Sequence, residues 1–142
     1  MGIIYSIISG ALMSIQGVFN TRVSEVSCIW VTNAYVQITG FIVCIIAWLF
    51  TGRQSFACLL KVDHKWYLTG GILGAFIIFT VVKGMSALGP AYTVMLILIS
   101  QLLIAYLIEL FGLFGTEQVP FDWKKIIGVG VMVVGIIIFK WE

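Results

Sequence analysis

Residues 67–114 read YLTGGILGAFIIFTVVKGMSALGPAYTVMLILISQLLIAYLIELFGLF. Two long apolar runs meet at Ala87-Leu88-Gly89-Pro90-Ala91. Glycine can end one helix there, and proline suits the first turn of the next. Each run supplies the roughly 20 apolar residues that a spanning helix needs at about 1.5 Å per residue. The stretch therefore predicts two antiparallel membrane spans joined by a tight hairpin.

Working outward, three more apolar runs complete the chain. The expected spans are 3–21, 29–51, 67–88, 91–114 and 124–140. The last has a shorter apolar core, but Lys124, Lys125 and Lys140 can snorkel outward at its ends. Trp30, Trp48, Trp66, Trp123 and Trp141 all fall at edges of these runs. Indole prefers the headgroup layer, because it pairs an apolar body with one N–H donor. The fold class is thus all-α integral membrane, with one five-helix domain over residues 1–142. An odd number of spans sends the two termini to opposite faces.

Composition agrees. The chain is 61% hydrophobic and 10% charged, with mean hydropathy +1.14, whereas soluble domains carry roughly 25% charged residues. No room is left for a soluble domain. The first run lacks a basic leader and a small-residue cleavage site, so no cleavable signal is expected. Cys28, Cys44 and Cys58 make an odd set without a C-x-x-C pair, and no disulfide framework follows. The scattered Lys and Arg residues form no nucleic-acid footprint. His64 is the single histidine. No metal-ligand spacing, phosphate loop or nucleophile elbow occurs, so neither an enzyme nor a cofactor is expected.

The connections are short. Ser24 or Ser27 is a candidate cap for the second helix, Asp63 for the third and Asp122 for the fifth. Gly52 suits the position just past the second helix. Residues 56–60 are expected on the membrane surface. The N-terminal face collects Arg53, Lys61, Lys65, Lys124 and Lys125; the other collects Arg22, Lys83 and Lys140. The positive-inside rule places the N-terminus in the cytoplasm, by a margin narrow enough for insertion both ways.

Inside a bilayer each polar side chain needs an explanation. Gln16 and Asn20 in the first span, and Asn33 and Gln37 in the second, occur at i, i+4 spacing. Ser100 and Gln101 follow in the fourth. One reading is helix packing, where amides and small residues bind neighbouring helices at about 0.6–2 kcal/mol per contact. The other is a polar cavity that binds substrate. Gly70 with Gly74, and Gly128 with Gly135, are candidates for close helix packing. Lys83 and Glu109 lie near opposite membrane faces, so they would meet only between two antiparallel copies, as dimer or gating charges.

Lys83-Gly84-Met85-Ser86-Ala87-Leu88-Gly89-Pro90-Ala91, followed by a long span and then Ile127-Gly128 through Gly135-Ile136, resembles the five-helix repeat of the drug/metabolite transporter superfamily. Gln16-Gly17-Val18-Phe19-Asn20 and Glu109-Leu110-Phe111-Gly112-Leu113-Phe114-Gly115 are similar to its single-repeat branch, the YdcZ family. The family more usually has aspartate where this chain has Glu109. The resemblance implies a bacterial inner-membrane exporter of small molecules that works as a dimer. Joining two five-span units head to tail would invert the second, so a single unit needs an oppositely inserted copy to build an inverted-repeat, ten-helix assembly. The small multidrug resistance proteins, distant relatives, use an acid midway along their first helix, and none occurs here. That favours a polar neutral or anionic substrate, with Lys83 as an anion partner. The alternatives are a non-transporting membrane subunit, or half of a heterodimer with an oppositely oriented paralogue.

Overall fold

In the computed structural model, which describes residues 1–141, the chain forms five α-helices and no strand among those residues. They are α1 (Gly2–Val26), α2 (Ile29–Phe50), α3 (Gly70–Leu88), α4 (Pro90–Phe111) and α5 (Trp123–Lys140). Short 3₁₀ turns lie at Phe56–Lys61, Lys65–Thr69 and Leu113–Gly115. The chain divides into two compact units, Met1–Ala87 and the part from Leu88 onward.

Four segments are long and apolar enough to cross a membrane: Gly2–Val26, Ile29–Phe50, Lys65–Leu88 and Pro90–Phe111. The protein is therefore an integral membrane protein by length and composition. Helix α5 has 18 residues, about 27 Å at 1.5 Å each, but it carries Lys124, Lys125 and Lys140 at its ends.

The helix ends show which local signals operate. Helix α1 continues five residues past the expected boundary at 21. No glycine or proline interrupts residues 21–26, and Arg22 pairs with Glu25 at 3.2 Å along the exposed turn. Neither Ser24 nor Ser27 caps α2. Its N-cap is Cys28, Ser24 donates to the Thr21 carbonyl, and the Ser27 and Thr32 hydroxyls pair at 2.9 Å. Helix α3 begins at Gly70 after a 3₁₀ turn whose N-cap is His64, so Asp63 caps nothing there. Gly52 (φ +103) turns the chain after α2. Gly89 (φ +80) is the N-cap of α4 with Pro90 in its first turn, as the opening stretch predicts. Helix α4 stops at Phe111 rather than 114, because Gly112 adopts the left-handed conformation (φ 61, ψ 34). Asp122 does cap α5, its carboxylate accepting from the Lys124 N–H at 2.9 Å.

The tryptophans keep their boundary positions. Trp30 stacks on Phe79 with centroids 5.0 Å apart. Trp48 donates to the Gln54 carbonyl at 2.9 Å and packs on Phe56. Apolar side chains are widely exposed along all five helices, as suits surfaces that face lipid.

Candidate functional site

In the first unit the four amides separate into two pairs. Asn33 Nδ2 donates to the Ala75 carbonyl at 2.6 Å, and Gln37 Nε2 donates to the Gly71 carbonyl at 3.2 Å. Donors four residues apart on α2 thus meet acceptors four residues apart, in reverse order, on α3. The two bonds are successive rungs between antiparallel helices. A Cβ at Gly74 would come within 3.3 Å of Gln37 Nε2, so glycine there permits the approach. Asn33 and Gln37, expected to line a cavity, each give one amide N–H to helix packing, and neither lines the α1–α2 cavity. Asn33 Oδ1, in a residue 3% exposed, is buried without a partner.

Gln16 and Asn20 behave differently. Both line a cavity of about 710 Å³ formed by α1 and α2, together with Ser9, Met13, Phe19 and Thr39. Neither amide makes a hydrogen bond among the described residues. Asn20 is only 7% exposed. The residue is largely covered, yet its amide still opens onto the cavity, where a bound polar group could pair with it. No charged side chain lines the cavity. The hydroxyls of Ser6, Ser14 and Thr21 turn back to the carbonyls four residues earlier, which satisfies them inside their own helix.

Helix α1 is held against α3 at one bare point. A Cβ on Gly17 would sit 2.5 Å from Met85 Cε and 3.3 Å from Val81 Cγ1. Gly17, between Gln16 and Val18, is the closest-packed glycine among the described residues. By contrast, a Cβ at Gly70, Gly128 or Gly135 would meet nothing within 4 Å. At these three positions no neighbouring side chain or backbone approaches closely enough to need a glycine; Gly128 borders the space between α4 and α5.

In the second unit, Ser100 and Gln101 are exposed on α4. Glu109 has a partner inside the chain: its Oε2 lies 3.5 Å from Lys125 Nζ. Lys83, in the first unit, is exposed and makes no hydrogen bond or ion pair among the described residues. Reading Lys125 only as a snorkelling residue missed the pair. The signal was Glu109 in the last turn of one helix and Lys125 in the first turn of the next, which a short link brings side by side. No group of three or more His, Cys, Asp or Glu side chains among the described residues could hold a metal ion.

The family model described as "Putative inner membrane exporter, YdcZ" matches residues 1–138. The chain belongs to the YdcZ family. It is also similar to the inner membrane protein YdcZ of Escherichia coli (strain K12), at 26% identity over 111 residues covering 75% of this chain and 73% of that one. No solved structure matches. The protein is therefore a multi-pass inner-membrane protein of a transporter family, not an enzyme.

Proposed function

We propose that the chain is a small-molecule exporter whose cargo is a polar, uncharged solute, bound between Gln16 and Asn20. The observation that carries this reading is the pair of unbonded amides in a cavity that no charged side chain lines. An amide offers both donors and an acceptor, so it suits a cargo with groups of both kinds. Met13 and Phe19 would cover the apolar part of the cargo. Lys83 does not line the cavity, which favours the neutral over the anionic alternative.

In this reading α5 is the fifth span, its lysines reaching the headgroups, and the whole chain works as one five-helix domain. Two copies inserted in opposite orientations form the transporter, an antiparallel homodimer with an inverted repeat. The cavity has walls from α1 and α2 alone, and the second copy would supply the remaining wall. Rocking of one copy against the other would then expose the site alternately. Lys83 is the exposed charge left to set the dimer or gate it.

Two experiments test the reading. Cys58 lies exposed in the link after α2, so a variant with Cys28 and Cys44 replaced carries a single reporter. Labelling of part of the population from each side of intact cells is expected. Labelling from one side alone would remove the self-made inverted pair. For cargo, cells overproducing the wild type or Asn20→Leu are loaded with neutral, anionic and cationic compounds. Faster loss of neutral compounds from wild-type cells alone is expected; equal loss in both strains overturns the site.

A further inference from the structure

The two helices of the second unit are clasped at both ends by a lysine over a tyrosine. Lys140 Nζ lies 4.3 Å from the Tyr92 ring centroid, and Lys125 Nζ lies 4.8 Å from that of Tyr106. The clasps differ in one respect: a carboxylate, Glu109, stands beside the second. Tyr106 is buried, and its hydroxyl accepts from the Asp122 N–H at 2.9 Å. The same Asp122 caps α5, so the ring is fixed to the start of that helix.

The loop after α4 also prepares this end. Thr116 Oγ1 donates to the Ile108 carbonyl, the Val119 N–H to that of Glu109, and Gln118 Nε2 to that of Leu110. The last carbonyls of α4 are thereby satisfied. Even so, Glu109 sits at the negative end of its helix dipole and Lys125 at the positive end of its own. Each charge is at the terminus that disfavours it, and each is tolerated because the other is near. Their separation of 3.5 Å is long against the roughly 2.7–2.9 Å of a tight charge-assisted bond. Both side chains are about half exposed. Beside them lies a cavity of about 350 Å³, walled by Leu102, Val129 and Met132, within the roughly 300–1,000 Å³ of small-ligand sites.

We propose that Glu109 and the face of Tyr106 form a binding site for an ammonium group carried on an apolar body, and that Lys125 is a tethered occupant which such a ligand displaces. The lysine shows the chemistry the site accepts: a cation against a carboxylate and a π-face. The adjoining apolar cavity is space that the lysine leaves for the rest of a ligand. This second site does not depend on the cargo assigned to the α1–α2 cavity. The ammonium could belong to a solute or to a phospholipid headgroup, since Glu109 lies near a helix end.

The test uses the full chain in nanodiscs of phosphatidylglycerol, with benzyltrimethylammonium as the probe in equilibrium dialysis. A tether of this length acts as a competitor at about millimolar effective concentration. Lys125→Met is therefore expected to bind the probe about tenfold more tightly than the wild type, and Lys125→Met with Glu109→Gln not to bind it. Tyr106→Leu should weaken binding and Tyr106→Phe should preserve it. Lys140→Met is the internal control, and no new binding should appear there. The wild type gives a reading free of substitutions: saturating probe should raise the rate at which Lys125 is acylated, measured by mass spectrometry. Adding phosphatidylethanolamine identifies the source. Competition with the probe assigns the site to a lipid amine, and no competition assigns it to a solute. Affinity indifferent to Lys125 and Glu109, or unchanged acylation at saturating probe, overturns the proposal.

Discussion

The two units settle their polar groups by different means. In the first, the amides are uncharged, and two of the four donate across to a neighbouring helix backbone while two remain open. In the second, the charged groups Glu109 and Lys125 meet at a helix end as an ion pair over an aromatic ring. An amide can stay within a membrane at modest cost, whereas a charge requires a partner or a route to water. The contrast separates residues that hold the helices together from residues left available to bind something.

The sharpest break of that contrast is Asn20→Leu. Export of the neutral cargo should fall by tenfold or more, as the measured efflux rate, while the melting temperature in detergent holds or rises, since an unbonded amide is removed. Loss of stability would place Asn20 with the packing residues instead. Next is Gly17→Val, expected to destabilise by about 1–3 kcal/mol through overpacking on Met85. Adding Met85→Ala should recover much of that loss in the same unfolding assay. Asn33→Leu follows, at about 1–2 kcal/mol, the strength of one interhelical hydrogen bond in a membrane. It should leave the efflux rate per folded molecule unchanged. Lys125→Met should cost less than about 1 kcal/mol, because the pair is half exposed and loose. Smallest are Gly128→Ala and Gly135→Ala, each within about 0.5 kcal/mol. If either disrupts cross-linked dimers, that face of α5 is where the second copy sits.

Much of the architecture was readable from residue order. The Gly89-Pro90 punctuation and Asp122 gave two helix starts, because each acts within its own few residues. Boundaries set by competing local bonds were not readable. Ser27 had the composition of a cap but pairs with Thr32, and Gly112 ended α4 inside what looks like a continuous apolar run. At the candidate site, spacing identified the four amides as one set. It could not say which of them a facing backbone would claim, since that depends on α3 lying alongside α2. The Glu109–Lys125 pair was partly readable: sixteen residues separate its members, but they fall at the adjoining ends of consecutive helices.

The contact at Gly17 also has a mechanical meaning. A methionine pressed on bare backbone is a soft bearing, since its thioether can change rotamer as the load shifts. Gln16 lies one residue before that bearing, and Asn20 less than one helical turn beyond it. Helix α1 also packs along α2, so a change of the Met85 rotamer would be felt first at the α1–α2 face that carries Gln16 and Asn20.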